Sequence, residues 1–348
     1  MGLLKVLVYI LVFLVVLFGA FLVYFTLTDY RPAETEVLAE KQSPDRIGKQ
    51  TLSMLIWNIG YAGLGDDMSF FYDGGSRVRT SLERVDQNLQ RISEHLQQYR
   101  GVDFFLFQEV DVASKRSYHT DQFRSLHQSL GNYHGYFALN YRVQFIPIPL
   151  ASPMGKVTSG LATFSSYLPA RVMRYDFPGE YGWPKRLFML DRCFMVSRYP
   201  LKNGKELILI NTHNSAYDGG TLKKKEMERL RDFLLDAYEQ GHYLIAGGDW
   251  NQFPPDIHSQ SDRHSSLDLS RTSTISKDFM PKGWEWVYDA NTPTKRALDK
   301  PYDKSSNPTA VIDYYLVSPN IEAMEAKTHS LDFGPADSHA VFAGFRLN

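Results

Sequence analysis

Residues 243–251 read Tyr-Leu-Ile-Ala-Gly-Gly-Asp-Trp-Asn, a short apolar run followed by two glycines and then by polar side chains. Apolar runs of this length are typical of buried strands, and the glycines allow the backbone to turn tightly at the end of the strand. We therefore expect Asp249 and Asn251 to lie beyond the strand, on the same face of the chain. The carboxylate could accept a proton from water, and the carboxamide could donate to a phosphate oxygen. A strand that runs into a polar turn fits the stretch equally well.

Polar side chains also follow other predicted strands. These strands are residues 52–57, 102–107, 206–211, 310–317 and 340–347. The polar residues within them or near their ends are Asn58, Glu109, His213, Asn214, Asp313 and His339. Helices are predicted over residues 81–99 and 223–238, because apolar residues recur there at spacings of three and four. Strands separated by helices indicate a mixed α/β fold in which helices cover the sheets.

The composition is that of a folded globular protein. Of its 348 residues, 22% are charged and 43% are hydrophobic. The formal net charge of −1 argues against a strongly basic protein that binds nucleic acid by bulk electrostatics. A local basic groove remains compatible with it. Cys193 is the only cysteine, so no disulfide can form within the chain.

The N-terminal segment is predicted to cross a membrane. Residues 6–27 are almost wholly apolar, and with their flanks they would form a helix about 37 Å long, against ~30 Å of hydrocarbon in a bilayer. A cleaved signal peptide would have a shorter apolar region, and this run continues past the weakly suitable site at Gly19-Ala20. Lys5 and the amino terminus precede the run, and a mostly acidic segment follows it. The positive-inside rule then predicts a cytoplasmic N-terminus, with the rest of the chain outside the cytoplasm.

We expect three parts along the chain. Residues 1–28 form the anchor. Residues 29–50 are polar, contain Pro32 and Pro44, and are interpreted as a tether. Residues 51–348 form one folded domain, because no repeat or linker-like composition interrupts them. Within that domain, residues 256–277 are rich in serine and charge and are expected to form a surface loop.

Short motifs at the strand ends occur in a characteristic order. They are Trp57-Asn58, Gln108-Glu109, Asn211-Thr212-His213, Gly248-Asp249-Trp250-Asn251, Ile312-Asp313-Tyr314 and the C-terminal His339. Each motif is weak alone, but in this order they resemble the endonuclease/exonuclease/phosphatase superfamily over residues 51–348. The resemblance implies a four-layer α/β sandwich of two packed β-sheets flanked by helices, to which this chain adds an N-terminal transmembrane helix. It places the active site at one end of the sandwich.

The resemblance also implies a metal site and an activated water. A divalent cation, usually Mg²⁺ with Mn²⁺ as the alternative, would be bound by Glu109 with help from Asn58. Carboxylate and amide oxygens suit such a cation. Asp249 would orient or deprotonate the attacking water, and Asn251 would hold a phosphate oxygen. This chemistry needs metal and hydrogen-bond donors because an anionic phosphoester repels hydroxide until its charge is neutralised.

The remaining motif residues act on charge and protons in the superfamily. His213 would stabilise charge on the phosphoryl group, and Asp313 would orient His339 for proton transfer. The superfamily usually ends in Ser-Asp-His, whereas this chain has Asp337-Ser338-His339. A shift by one residue on an extended segment turns a side chain to the other face. Asp337 is therefore a candidate metal ligand only if the chain is locally irregular there.

Three further residues are candidates for substrate binding. Arg116 and His119 follow Glu109 closely, and cationic side chains near a phosphoesterase site could clamp a second anionic group of the substrate. A solvated charged loop is the alternative. Asn214, directly after His213, is the third candidate. The apolar run at residues 141–150, which contains two prolines, is interpreted as a packed loop or as an apolar lip that meets membrane lipid.

These features support three functions in decreasing order. The first is a membrane-anchored, divalent-metal-dependent hydrolase of a phosphodiester or phosphomonoester, with lipid-derived esters included. The second is an anchored nuclease, so nucleic acid is a compatible but not favoured partner. The third is a non-catalytic binding protein, suggested by the altered C-terminal motif. Fold membership does not choose among substrates, and the sequence indicates no oligomeric state.

Overall fold

Two β-sheets pack face to face in the computed structural model, which describes residues 2–216, 220–257 and 272–348. The described residues form helices α1 (Gly2–Leu27), α2 (Leu82–Leu96), α3 (Gln122–Leu130) and α4 (Thr221–Glu239). The strands are β1 (Thr35–Glu40), β2 (Thr51–Asn58), β3 (Phe104–Asp111), β4 (His134–Ile146), β5 (Gly155–Ser165), β6 (Arg171–Asp176), β7 (Cys193–Pro200), β8 (Glu206–His213), β9 (Tyr243–Asp249), β10 (Glu285–Val287), β11 (Lys295–Arg296), β12 (Thr309–Ala310), β13 (Asp313–Val317), β14 (Ile321–His329) and β15 (Ala340–Leu347). Most of the loop expected over residues 256–277 lies outside the described residues.

The two sheets have the same kind of mixed strand pairing. Sheet I has seven strands in the order β1-β6-β7-β8-β9-β13-β10, and sheet II has six in the order β14-β15-β2-β3-β5-β4. The short strands β11 and β12 pair with each other outside both sheets. Each large sheet contains one parallel pair, β8 with β9 in sheet I and β2 with β3 in sheet II. Because parallel strands end at the same edge, each pair brings its carboxyl-terminal residues together.

Apolar side chains fill the space between the sheets and cover their outer faces. Ile56 and Leu106 of sheet II pack in one cluster with Leu209 and Ile245 of sheet I. On the outer faces, α2 and α3 pack against sheet II, and α4 packs against sheet I. The order helix, sheet, sheet, helix confirms the four-layer sandwich expected from the sequence.

Local sequence sets the position of α2 in the outer layer. The Ser81 Oγ accepts a hydrogen bond from the backbone N–H of Arg84 at 3.2 Å, as expected for a helix N-cap. Val85 and Ile92 lie on the predicted apolar stripe and are fully buried. Burial of such side chains contributes about 1.5–3 kcal/mol each to stability. A 3₁₀ turn continues the helix to Tyr99, where the sequence predicts its end.

The glycines of the opening stretch lie inside β9 rather than in a turn after it. A Cβ on Gly247 would lie 2.7 Å from the Tyr315 ring, and one on Gly248 would lie 1.9 Å from the Thr212 carbonyl oxygen. Gly248 also has a φ of +150°, a conformation that disfavours other residues. The glycines are therefore needed for close packing, and the strand continues to Asp249.

The expected tether is partly a strand. Residues Thr35–Glu40 form β1, which pairs with β6 at the edge of sheet I. Leu38 and Ala39 pack on a buried cluster that includes Met195, and such partial burial is sufficient for an edge strand. Ile47, also in the expected tether, is buried and forms an isolated bridge with Leu201. The folded domain thus begins before residue 51.

Helix α1 is attached to the domain at its C-terminal end. It is long and apolar enough to cross a membrane, a property that a signal sequence shares. The rings of Phe21 and Phe25 lie 6.1 and 5.5 Å from the ring of Phe188. The Trp183 indole N–H donates to the Thr26 hydroxyl at 3.1 Å. Residues 183–188 therefore form the contact between the domain and the end of this helix.

Candidate active site

The carboxyl ends of the two parallel strand pairs bring the predicted motif residues together. In sheet I, His213 lies opposite Asp249, which also lies opposite Asp313 on the other side. In sheet II, Asn58 lies opposite Gln108. All of these side chains are buried. Residues far apart in sequence therefore meet at one end of the sandwich, as the resemblance implies.

Asn58 connects the two sheets at this end. Its side-chain amide donates to Glu109 Oε1 at 3.0 Å and to Asp249 Oδ2 at 2.9 Å. Its side-chain oxygen accepts from the backbone N–H of Gly60 at 2.9 Å. Asn58 therefore holds two carboxylates in place with its N–H groups, while its oxygen is already used.

A β-bulge turns Glu109 toward the site. The register between β3 and β5 shifts between Phe107 and Val110, and Glu109 has a positive φ of 54°. Bulges commonly redirect a side chain next to an active site. The preceding residue, Gln108, donates to Asn211 Oδ1 at 2.7 Å inside the sandwich, so Gln108 and Asn211 are internal rather than catalytic.

Asp249 is held from two sides and lies next to His213. Its Oδ1 accepts from the backbone N–H of Asn251 at 2.9 Å, and its Oδ2 lies 3.7 Å from His213 Nε2. The Asn251 side chain donates to the Asn214 carbonyl at 2.8 Å. Asn251 thus lies at the predicted place, but its amide N–H₂ already has a protein acceptor.

Asn214 has an internal role in this structure. Its Oδ1 accepts from the Thr212 hydroxyl at 2.6 Å, and its Nδ2 contacts Met227 Sδ at 3.0 Å. The side chain is fully buried. The structure therefore differs from the expected substrate contact, because both polar atoms of the amide are used within the protein.

Burial shifts the pKa values of the central groups. The pKa values of Glu109 and Asp249 are raised, chiefly because both carboxylates are shielded from water. The pKa of Asp313 is raised well above its ordinary value by burial and by the nearby charge of Asp249. The pKa of His213 lies well below its usual range, because of burial and then the neighbouring cation of Arg192. His213 is therefore neutral at pH 7.

Lys295 lies among the site carboxylates, and no sequence motif pointed to it. Its ammonium contacts Asp337 Oδ2 directly, and its side chain is only 14% exposed. Burial alone would lower its pKa, but the charges of Asp337, Asp249 and Glu109 outweigh burial and hold the pKa above its ordinary value. In the sequence it stands in a polar segment without periodicity, so it resembles any solvated lysine. The pairing of β11 with β12 brings it to the site.

The C-terminal motif is arranged differently from the sequence prediction. Asp337 is fully buried and lines the same cavity as Glu109. The ring of His339 instead stacks on Phe333, with 3.8 Å between centroids. Its Nδ1 lies 2.9 Å from the Pro293 carbonyl oxygen, and its Nε2 accepts from the Phe333 N–H at 3.2 Å. Both ring nitrogens of His339 are thus occupied away from Asp313.

The predicted pair of Asp313 and His339 is therefore not formed. Both carboxylate oxygens of Asp313 and the hydroxyl of Ser338 are buried without a hydrogen-bond partner among the described residues. Hydrogen bonds of the backbone set the directions of these side chains. The Ser338 carbonyl accepts from the Trp57 indole at 2.8 Å, and the His339 N–H donates to the Thr294 carbonyl at 2.7 Å. These residues precede β15, so strand alternation does not set their faces.

The expected divalent cation does not fit the site as it is arranged. Glu109 and Asp337 offer hard oxygen ligands of the kind that Mg²⁺ prefers. However, the ammonium of Lys295 already contacts Asp337, and the oxygen of Asn58 is bonded to Gly60. Among the residues that the structure describes, no group of three or more His, Cys, Asp and Glu side chains could hold a metal ion.

The two other predicted substrate residues differ from each other. Arg116 forms a bidentate ion pair with Asp111 at 2.9 and 3.0 Å, and its guanidinium lies 3.7 Å from the centre of the Tyr61 ring. It lines the site cavity, but its charge is neutralised within the protein. His119 is exposed and is not among the residues that line the cavity. Arg192 lines it instead, and its guanidinium donates to the His213 carbonyl at 3.3 Å.

A cavity of about 610 Å³ opens beside these groups. Its polar wall includes Glu109, His213, Lys295 and Asp337. The remainder is mostly apolar and is lined by residues that include Leu64, Phe70, Ile146, Ile148, Met154 and Phe188. Cavities of this size are typical of sites for small molecules.

The chain is similar to known proteins in sequence and in fold. A family model described as the Endonuclease/Exonuclease/phosphatase family matches residues 55–328. A search of curated proteins found no significant match. A solved endonuclease/exonuclease/phosphatase from Beutenbergia cavernae DSM 12333 is similar, with a TM-score of 0.58 and 18% identity over 86% of this chain and 72% of that one.

Two further structures show the same fold. A family protein from Bacteroides thetaiotaomicron has a TM-score of 0.53 and 16% identity, covering 88% of this chain and 99% of that one. ANGEL2, a 2′,3′-cyclic phosphatase, has a TM-score of 0.55 and 15% identity, with coverages of 89% and 99%. At these identities the likeness concerns the fold alone. Because the family model matches most of the sequence, the chain belongs to the endonuclease/exonuclease/phosphatase family.

Proposed function

We propose that this chain is a membrane-anchored phosphoesterase that hydrolyses a phosphomonoester or phosphodiester. The observation that carries the proposal is the convergence of residues far apart in sequence: Glu109, His213 and Lys295 line one cavity, and the buried Asp249 lies directly behind His213 and Asn58. Members of this family are hydrolases that act on phosphoesters. The overall reaction adds water to phosphorus, breaks the P–O bond to the alcohol, and leaves a proton on the alcohol oxygen.

Asp249 is proposed to orient and deprotonate the attacking water. Hydrogen bonds from Asn58 and Asn251 fix the carboxylate, which removes the need to order it during the reaction. Its raised pKa brings its basicity closer to that of a useful proton acceptor. The attack then depends on groups that offset charge on the phosphoryl oxygens.

Lys295 and His213 are proposed to stabilise the phosphoryl group. Lys295 supplies a fixed positive charge in a poorly hydrated site, where such a charge is most effective. His213 is neutral, and its Nδ1 has no hydrogen-bond partner among the described residues, so it can exchange hydrogen bonds with a phosphate oxygen. His339, expected to transfer a proton, is assigned no role in this step because Pro293 and Phe333 occupy its ring nitrogens.

The family's metal requirement is a separate question. Family members generally use divalent metals. In this chain Mg²⁺, or Mn²⁺ as the alternative, would have Glu109 and Asp337 as its carboxylate ligands only if Lys295 moved away from Asp337. We propose that Lys295 neutralises these carboxylates in the resting protein. The roles proposed for Asp249, Lys295 and His213 do not involve a metal.

Helix α1 is proposed to be an uncleaved anchor with a cytoplasmic N-terminus. Its length and composition suit a membrane span, and the interface aromatic Trp183 lies at its C-terminal end. In this proposed topology the catalytic domain lies outside the cytoplasm. The nuclease alternative receives no support from the cavity, because its walls are mainly apolar and the charge of Arg116 is paired with Asp111.

Turnover of a substrate panel tests the proposal. The full-length protein in detergent would be assayed on an aryl phosphodiester, an aryl phosphomonoester, DNA and phospholipids, with Mg²⁺ and with chelator. We expect hydrolysis of at least one phosphoester, lowered about 10²-fold or more in Asp249→Asn. Asp86→Asn, an exposed change of the same chemistry on α2, is the matched control. Equal rates in both variants would overturn the role of Asp249.

A further inference from the structure

The apolar wall of the site cavity is an ordered part of the core. Tyr61, Leu64, Phe70, Ile146 and Met154 belong to one packed cluster, to which Phe188 and Leu190 are added at its edge. All of these residues also line the cavity. The part of the substrate that lies beyond the phosphoester therefore meets mostly fixed hydrocarbon and aromatic surface.

The same wall is continuous with the membrane helix. Phe188 lines the cavity and also packs against Phe21 and Phe25 near the end of α1. Asp29, just after the helix, lies 3.6 Å from the Arg186 guanidinium. A single residue thus separates the cavity from the anchor, so the cavity lies next to the bilayer in which α1 would be embedded.

Exposed apolar side chains lie along this side of the domain. Ile148, in the loop after β4, lines the cavity and is 44% exposed, and its neighbour Leu150 is 83% exposed. Trp183, at the end of α1, is 57% exposed. Exposed apolar and aromatic residues next to a membrane span are typical of an interface with lipid.

We propose that the substrate is a membrane lipid phosphoester whose hydrocarbon chain lies against the apolar wall, with its phosphate beside Lys295, His213 and Asp249. This inference rests on the proposed function and names its substrate class. The phosphate of a bilayer lipid stands at the depth of the interface, and the hydrocarbon continues from it into an apolar space. The cavity offers the same sequence of environments, with anion-binding groups in one part and apolar surface in the rest.

Chain length is the variable that tests this site. Full-length protein in nanodiscs would be given dioleoyl phosphatidate, its dibutyryl analogue and glycerol phosphate, and the matching choline diesters. We expect kcat/KM to fall about tenfold or more from the long-chain to the chainless ester, since each methylene that leaves water for the apolar wall adds favourable binding free energy. Equal kcat/KM across each series would overturn the proposal.

Two neighbouring residues provide a matched pair of variants. Ile148→Asp places a charge on the cavity wall at a half-exposed position that should not disturb folding. It should lower kcat/KM for the long-chain ester about tenfold and that for the chainless ester much less. Leu150→Asp adds the same charge to the same loop, where it does not line the cavity, and should change neither. Equal losses on all esters in Ile148→Asp would count against a site for the chain.

A binding readout separates this site from the proposed function. A phosphatidate with a photoreactive acyl chain should label residues 146–154 or 188–190 in the Asp249→Asn protein, and Ile148→Asp should reduce the labelling about tenfold. Labelling without turnover of any phosphoester would keep the lipid site and remove the proposed function. Turnover of soluble esters without labelling would keep the function and overturn the lipid site.

Discussion

Replacement of Lys295 by methionine removes the cation at the centre of the site and retains most of the side-chain volume. The ammonium contacts Asp337, and its charge also acts on Glu109 and Asp249. Removing one partner of a buried ion pair costs about 3–5 kcal/mol, because the other charge is left uncompensated. Lys295 is 14% exposed, so the loss in Lys295→Met should be near the lower end, about 3 kcal/mol.

The loss should depend on pH in a defined direction. The charge of Lys295 lowers the pKa of Glu109, which burial has raised, so without Lys295 this pKa should rise further above its ordinary value in the folded state. A carboxyl whose folded pKa is raised favours the folded state at low pH, and this contribution is lost as pH rises through the folded pKa. Lys295→Met should therefore be closest to wild-type stability in mild acid and furthest from it at neutral pH and above.

A divalent cation should restore part of the stability of Lys295→Met. The freed carboxylates could bind Mn²⁺, which would stabilise the variant by about 2.7 kcal/mol at a hundred times Kd. The assay is thermal unfolding of full-length protein in detergent, with and without Mn²⁺, for wild type, Lys295→Met and the exposed control Lys282→Met. Equal Mn²⁺ shifts in wild type and Lys295→Met would refute the view that Lys295 holds the cation position. Wild-type stability of the metal-free variant would refute the buried ion pair.

Four other changes have defined outcomes. His339→Ala should lower the melting temperature, because it loses the Phe333 stack and two hydrogen bonds, yet it should reduce turnover far less than Asp249→Asn; a folded but inactive His339→Ala would contradict this. Its loss of stability should add to that of Asp313→Ala in a double-mutant cycle, since the residues do not pair, and strong coupling would show that they do. Protonation of the buried His95 should destabilise the wild type, because the pKa of this residue is lowered to about 4 from its ordinary 6.5. The free energy of unfolding should fall by up to about 3 kcal/mol as pH falls from 6.5 through 4. Unfolding curves of His95→Leu should lack this pH dependence, and an unchanged pH dependence would exclude His95 as its source. Deletion of residues 2–28 should release the domain into the soluble fraction, and recovery of the full-length protein there without detergent would contradict the anchor.

The residues that the sequence located best are those fixed by strand ends. Asn58, His213 and Asp249 each terminate a strand whose apolar run is visible in the sequence, and parallel pairing then brings such ends to one edge. The direction of the Glu109 side chain cannot be predicted from the strand end alone, because it depends on a β-bulge with a positive φ. The sequence placed it next to the strand end but did not reveal the bulge.

The parts that could not be predicted depend on contacts between distant segments. Lys295 reaches the site through pairing with β12, and nothing in its neighbours indicates burial. Asp337 and His339 lie before a strand, where alternation does not apply, and bonds to Trp57 and Thr294 set their directions. The sequence does not indicate strand β1, because this strand is short, half-exposed and lies in a segment with two prolines.

The central claim is that water attacks phosphorus at this site with the help of Asp249. The most direct measurement is hydrolysis of dioleoyl phosphatidate by full-length protein in nanodiscs, in water enriched in ¹⁸O, followed by mass spectrometry of both products. We predict ¹⁸O in the released phosphate for the wild type and at least about 10²-fold less product for Asp249→Asn. Absence of product with the wild type, ¹⁸O in the alcohol instead of the phosphate, or undiminished product with Asp249→Asn would contradict it.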